Sequence, residues 1–447
     1  MTPTLGELRR CFEGAVPSTI ATCAADGTPN VAYLSQVHYV DDEHVALTFQ
    51  FFNSTRKNIL ANPRATVQVV DPLFGTHYRL QLQYLRTETE GPLFENMKAK
   101  LAGIASHSGM TKVFRLQGSD VYHVLGIEHV FGEISAGTTM RRHLLSGLRA
   151  CQALMATCGD LAQLFDETLL GLERHCSYQH AMLLMHDERR KRLYTVASRG
   201  YPQSGVGSEI GLGEGIIGVA ARERTPIRIG YAASEYLYSR ATREGFARSA
   251  DSDALESEIP FPGLTHSGSQ LAVPLTLGRR LLGVLYVEST EELRFTYEDE
   301  DAVVVIAAQL ALAIEMLSQA AEQHEESAAN APPVPVQGAP LSVRHFTADH
   351  SIFLDNDYLI KGVAGAIIWK LLRDYAEAGR REFTNRELRL DPALKLPDIT
   401  DNLEARLILL QRRLAERCDF LAIEKTGRGR FRLNVSRPLR LAEVAGR

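Results

Sequence analysis

The chain has six cysteines, Cys11, Cys23, Cys151, Cys158, Cys176 and Cys418, and no two of them stand as a CxxC pair. That scatter excludes a zinc knuckle and offers no disulfide framework, so reduced thiols are expected. The opening residues, MTPTLGELRRCFEGAVPSTIA, lack the basic-then-apolar order of a signal peptide. The longest apolar run, Ala302 to Leu317, is interrupted by Gln309 and Glu315. No membrane partner is therefore expected, and a cytoplasmic location is. No internal repeat, paired-carboxylate motif, nucleophile–histidine motif or metal-ligand set stands out. The formal net charge of -5 on 447 residues is too small for a polyanion or a chain that coats nucleic acid along its whole length.

What is present asks for several domains, because 447 residues exceed what one hydrophobic core organises and 45% apolar content supports folding. From Leu341 onward there are 20 Lys/Arg against 15 Asp/Glu, a balance of +5 that leaves -10 on the preceding residues. The stretch SQAAEQHEESAANAPPVPVQGAPLS, Ser318 to Ser342, mixes Ala, Glu and Pro with too little apolar content to fold. A softer boundary falls near Gly137, where β-rich sequence gives way to helical spacing. The expected organisation is a multidomain α+β chain divided as 1–136, 137–317, a flexible linker over 318–341, and 342–447.

The first segment reads as a meander of strands. Asp26-Gly27 and Asp41-Asp42 mark turns between runs rich in Val, Thr, Tyr and Ala. A helix fits 55–62, strands 65–70 and 78–88, a helix 92–106 and a last strand 120–126. An antiparallel barrel is the economical packing, since closure removes exposed edges. Asn53, Ser54, Thr55, Arg56 and Lys57 put hydroxyls, an amide and two cations at a helix start, where unpaired N–H groups favour an anion such as phosphate. Basic residues opening a surface helix are as often simply solvated. VALTF, STRKNILANPRATVQVV and YRLQLQYLRTETEG together resemble the pyridoxamine-phosphate-oxidase-like split barrel, an FMN-binding fold. The resemblance implies FMN as cofactor, its phosphate gripped by Ser54, Thr55, Arg56 and Lys57. The family's Trp- and Arg-containing C-terminal substrate segment is absent, which argues against pyridoxamine phosphate oxidation.

The second segment begins and ends with a helix and holds hairpins between them, one turning at Gly278. Its last helix opens at Thr296 with Asp299 three residues on, and Val303, Ile306, Leu310, Ala313 and Leu317 form an apolar stripe that wants a partner helix, from this chain or a second subunit. Gly211, Gly213, Gly215 and Gly218 have neither the strand-to-helix context of a dinucleotide fingerprint nor a Walker lysine, so turning and close packing are their expected work. His175, Cys176 and His180 match no ligand spacing. Cys151 and Cys158, one heptad apart, are expected to share a helix face. IGLGEGIIGVAARERTPIRIG, LAVPLTLGRRLLGVLYVES and FTYEDEDAVVVIAAQLALAIE resemble a GAF domain, a small-molecule-sensing α/β sandwich. That resemblance implies a small-molecule effector between sheet and overlying loops, with Tyr231, Tyr236, Tyr238 and Arg240 as candidate pocket or lid residues on the long loop.

In the third segment Thr384 and Glu387 form a capping box. After Pro397, Leu403, Leu407, Leu410 and Leu414 mark a core face, while Asn402, Arg406, Arg413 and Arg417 fall within about 60° of one another at 3.6 residues per turn. FLAIEKTGRGRFRLNV reads as a hairpin carrying Arg428, Arg430 and Arg432. Helix, short capped helix, long basic helix and arginine hairpin resemble the winged helix-turn-helix of OmpR/PhoB-class response regulators. The resemblance implies DNA as partner, with Asn402, Arg406 and Arg413 in the groove and Arg428 and Arg430 on the wing. The combined expectation is a homodimeric sensory transcriptional regulator. The alternative is an FMN-dependent oxidoreductase regulated by a GAF domain, for which a missing catalytic motif is no obstacle because the flavin carries the chemistry.

Overall fold

The computed structural model describes residues 3–14, 16–49, 54–72, 74–107, 116–132, 144–231, 259–323, 337–392, 394 and 403–444. Strands β1 (Ser18–Cys23), β2 (Pro29–Leu34), β3 (Val37–Tyr39), β4 (His44–Phe49), β5 (Arg64–Val70), β6 (His77–Glu88) and β7 (Gly118–Phe131) pair antiparallel in the order β2-β1-β5-β6-β7-β4-β3. The period-2 pattern works as expected in β5, where Ala65, Val67 and Val69 point inward. Three register shifts between β6 and β7 bend the long central strands and curl the sheet into half-barrels. Strand β7 continues to Phe131, beyond its expected end at Gly126. Helix α1 (Ser54–Ala61) joins β4 to β5, and α2 (Pro92–His107) joins β6 to β7.

A second sheet has the order β10-β9-β8-β13-β12-β11, from β8 (His180–Asp187), β9 (Arg192–Arg199), β10 (Glu209–Gly211), β11 (Ile227–Ile229), β12 (Ser269–Leu277) and β13 (Arg280–Ser289). Helices α3 (Leu144–Ala156) and α4 (Leu161–Cys176) cover one face, α5 (Gly215–Glu223) covers the other, and α6 (Tyr297–Gln323) lies with α3 and α4. Gly218 is required where α5 meets the sheet edge, because a Cβ there would lie 2.3 Å from the Gly211 carbonyl oxygen. The Thr296 backbone N–H and hydroxyl both donate to Asp299 Oδ2 at 2.9 Å, the expected start of α6. Cys158 lies past the end of α3, and Cys151 instead faces Cys176 of α4, Sγ to Sγ 3.9 Å. The expected shared face of Cys151 and Cys158 is thus corrected: the helix stops at Ala156.

The C-terminal residues form β14 (Leu341–Phe346), β15 (Ser351–Leu354), β16 (Asp357–Ile360), α7 (Gly362–Ala378), β17 (Glu382–Thr384), α8 (Asn385–Leu390), α9 (Leu403–Arg417), β18 (Leu421–Gly427), β19 (Arg430–Val435) and β20 (Leu439–Val444). They make two sheets, β16-β15-β14-β20 and β17-β19-β18, and β20 returns parallel to β14 so that the last strand closes the first sheet.

The three regions interlock. Between the first two, Arg228 of β11 is buried with Glu13 Oε2 at 2.6 Å, Glu300 Oε2 at 2.7 Å and the Phe295 carbonyl at 3.0 Å. Its guanidinium lies 4.3 Å from the ring centroid of Tyr297, whose hydroxyl accepts from Lys100 Nζ of α2 at 3.0 Å. Lys100 Nζ also sits 3.4 Å from Nδ1 of His38, and Arg9 grips Asp301 through two guanidinium nitrogens. Between the second and third regions a single apolar cluster runs from the helices over the β8 side into α7 and α9.

Burial, followed by repulsion from Arg228, lowers the Lys100 pKa from 10.5 to about 7, and burial holds His38 well below 6.5. Both are bases with folded values below their unfolded ones, so the unfolded chain binds more protons and stability rises with pH. For Lys100 the loss develops as pH falls from about 10.5 to about 7 and is complete below that; His38 adds a second loss below 6.5. Lys100→Met is expected to flatten the first of these slopes, measured as urea-denaturation midpoints between pH 7 and pH 10; an unchanged slope would reject the assignment.

Candidate functional site

Two sites are built on these frames. The first is at the start of α1, reached from the end of β4. Ser54 and Lys57 are exposed on its first turn. Thr55 accepts a hydrogen bond from the Asn30 amide at 2.9 Å and is therefore engaged with β2. Arg56 points inward: it donates to Asp120 Oδ1 at 2.5 Å and Thr87 Oγ1 at 2.9 Å, and its guanidinium lies 4.5 Å from the Phe49 ring centroid. Thr87 also donates to Asp120, and burial raises the Asp120 pKa despite these partners. The four residues thus divide into an exposed pair and an engaged pair. A phosphate at this turn fits Ser54 and Lys57; Arg56 fits only by giving up Asp120, since one guanidinium already neutralised by a carboxylate adds little charge.

The second site is the face of the β8–β13 sheet turned away from α3, α4 and α6. Met182, Leu184, Ala272, Val284, Tyr286 and Glu288 share it by alternation. Glu288 is 2% exposed, and its two oxygens accept from the Leu264 N–H at 3.0 Å and the Tyr286 hydroxyl at 3.1 Å. His180 pairs opposite Glu288 on β8, and its ring lies 5.4 Å from that of Tyr201. Phe261 packs against the same cluster. A buried carboxylate beside a tyrosine hydroxyl can orient a small molecule that carries a hydrogen-bond donor or a positive charge, in exchange for one of its present donors. Sequence reasoning missed Glu288, Tyr286 and Tyr201, and weighed His180 only as a metal ligand; the available signal was a Glu two residues after a Tyr inside an otherwise apolar strand. Tyr231 is buried at the edge of β11, while Tyr236, Tyr238 and Arg240 lie outside the described residues.

The cationic stripe expected on α9 is not a free surface. Arg406 is 3% exposed, its Nη2 is 2.7 Å from Asp187 Oδ2, and its guanidinium lies 4.1 Å from the Tyr194 ring centroid. Arg413 donates to the Leu359 carbonyl at 2.9 Å and is also buried. Arg412 donates to the Val196 carbonyl at 2.9 Å and Asp166 at 2.8 Å. Burial raises the Asp187 pKa, but the charge and hydrogen bond of Arg406, the Arg190 N–H and the Arg190 charge together hold the carboxyl below its ordinary value. Arg406 and Arg413 as groove contacts are therefore corrected: α9 is buried on both faces along its first two turns, between its own unit and the β8–β9 region. Arg428 is exposed at the β18–β19 turn, Arg430 is half-buried at the start of β19, and Asn402 lies outside the described residues.

The second sheet carries α3, α4 and α6 on one face and α5 on the other, with Ala99 and Ala102 of α2 packed into the same cluster as α5. Residues 160–314 match the family model "GAF domain", and residues 5–125 match "Pyridoxamine 5'-phosphate oxidase". The chain carries a GAF domain and a pyridoxamine-phosphate-oxidase-like N-terminal domain. Among solved structures, the GAF domain from an Acinetobacter phosphoenolpyruvate-protein phosphotransferase is 20% identical, covering 43% of this chain and 100% of that one, with TM-score 0.31. An FMN-binding protein from Syntrophomonas wolfei subsp. wolfei is 16% identical, covering 28% and 85%, with TM-score 0.24. The free methionine-R-sulfoxide reductase from Neisseria meningitidis, solved with its substrate, is 19% identical, covering 41% and 96%, with TM-score 0.32. No curated protein matches.

Asp120→Ala is expected to cost about 1–3 kcal/mol by leaving the Arg56 guanidinium without its carboxylate in a largely buried position. Denaturant unfolding followed by circular dichroism measures it, and a change below a few tenths of a kcal/mol would show the pair to be dispensable.

Proposed function

We propose that the protein is a sensory regulator that takes up a small molecule on the Glu288 face of its GAF domain and a flavin phosphate at Ser54 and Lys57, and so controls the docking of its C-terminal unit. The observation that carries this reading is the clamp on α9: Arg406 to Asp187 ties the tail to the end of β8, a strand of the ligand face, and Arg412 to Asp166 ties it to α4 on the opposite side of the same sheet. Asp187 ends β8, the strand that carries Met182 and His180, so a ligand that shifts β8 acts on the clamp through one strand.

The C-terminal unit, in this reading, is a winged helix that acts on DNA when released. The order α7, α8, α9 and the β18–β19 hairpin supports it, together with Arg428 at the hairpin turn. Docked, α9 is covered by the β8–β9 region, with Arg406 held against Asp187. Release therefore precedes binding, and a homodimer would place two such units on paired half-sites. Bound flavin would supply redox chemistry; Ser54 and Lys57 would hold its phosphate, and Asp120 keeps Arg56 directed into the half-barrel. Sulfoxide reduction by a thiol is not part of the proposal, because Cys151, Cys158 and Cys176 belong to the helical side of the GAF sheet, opposite Glu288.

Two measurements test the reading. Asp187→Ala breaks a buried pair worth about 3–5 kcal/mol when one partner is lost. It is expected to raise affinity for upstream DNA at least tenfold in mobility-shift titrations, with a steep salt dependence; equal affinity for wild type and variant would reject control by docking. The full chain titrated with FMN is expected to quench flavin fluorescence, and Lys57→Ala to weaken uptake about tenfold; no uptake by the wild type would remove the flavin from the proposal.

A further inference from the structure

We propose that Glu43, His44 and His123 form a binding site for a divalent transition-metal ion, of the zinc, cobalt or nickel type, at the end of the half-barrel remote from α1. His44 opens β4 and lies directly opposite His123 of β7 in the antiparallel register. Their ring centroids are 5.4 Å apart. Glu43 precedes His44, and its carbonyl accepts the Val124 N–H at 2.8 Å, which anchors the turn to β7 beside His123. One ligand atom from each of the three side chains lies within 4.8 Å of the other two.

The surroundings orient this set. Asp41 Oδ1 is 2.8 Å from His44 Nδ1 and also accepts the Glu43 N–H at 2.9 Å. A carboxylate on Nδ1 holds the proton there and leaves Nε2 with its lone pair outward, the arrangement by which second-shell carboxylates fix a ligating histidine. Two imidazoles and one carboxylate suit zinc and its neighbours and are poor for magnesium or calcium, which take all-oxygen shells. Bonds of about 2.1 Å at tetrahedral angles place ligand atoms about 3.4 Å apart, so the observed spacing closes with side-chain rotations of roughly 1 Å. Glu43 is exposed and both rings are half-exposed, which gives the side chains that freedom and leaves a coordination position open to solvent.

The site is separate from the start of α1: His44 and Phe49 stand at opposite ends of β4, about 17 Å apart at ~3.3 Å per residue. It is close in sequence to the GAF junction, because β3, the partner of β4, carries His38 and Tyr39, which pack on Tyr297. Metal binding would brace the β3–β4 turn against β7 at the edge that meets the second domain.

The test uses the full chain, dialysed against chelator and titrated with cobalt(II) as probe. The expected result is one equivalent bound with visible ligand-field absorption, displaced by zinc. His44→Gln/His123→Gln is expected to remove that equivalent, Glu43→Gln to weaken binding at least tenfold, and Asp41→Asn to weaken it about 10–100-fold through loss of orientation. Glu43 is exposed, so its substitution leaves the fold intact whatever happens to the double variant. No cobalt taken up by the wild type, or wild-type affinity in Glu43→Gln and in the double variant, would overturn the proposal.

Discussion

A guanidinium taken out of water has to keep its carboxylates, and that constraint sets how this molecule is assembled. Arg228 is enclosed by Glu13 from the N-terminal region and by Glu300 from α6. Arg406 is enclosed with Asp187 on the opposite flank of the same sheet. Removing one partner of such a pair strands a buried charge at a cost of several kcal/mol, whereas exchanging both for apolar groups costs little. The pairs therefore act less as glue than as registration marks. Each is satisfied in one docking geometry and penalised in others, so the GAF domain has defined contacts with both neighbours.

The junction at Tyr297 adds a second property. Three cationic side chains, Arg9, Lys100 and Arg228, approach one phenol ring, at 4.6, 4.3 and 4.3 Å from its centroid. Glu13, Glu300 and Asp301 supply carboxylates for two of them, and burial brings Lys100 close to neutrality near physiological pH. Its charge is thus the adjustable one in an otherwise fixed cluster. On the other flank the contact is apolar as well as ionic, since the helical side of the GAF domain and the C-terminal unit share one cluster of buried side chains.

Local rules made much of the fold legible. The Thr296–Asp299 and Thr384–Glu387 starts, the Gly278 turn and the alternating strands of the first region are decided by residues within a few positions of one another, and the structure forms each where the sequence places it. The site was less legible because its decisive contacts are distant in sequence. Arg406 looks solvated until Asp187, more than two hundred residues earlier, is brought beside it. Arg56 looks like an anion ligand until β7 delivers Asp120. Helical periodicity identified the Leu403 to Leu414 face as core, but it cannot see that a neighbouring domain also covers the opposite face. Glu288 is the converse case: a charged residue near a strand end reads as rim, and only the Leu264 backbone and Tyr286 turn it into a buried acceptor.

Helix α6 links these observations mechanically. It begins at Tyr297, against the first region, and continues unbroken to Gln323. Twenty-seven residues at 1.5 Å each make a rod of about 40 Å. Ile306, Leu310 and Ile314 are buried along it, and Glu315 pairs with Arg280 of β13, so the rod is held to the sheet beneath over most of its length. The same backbone that closes the core of the second region thus also spans from the phenol ring shared with the first region to an arginine of β13 about 27 Å further on.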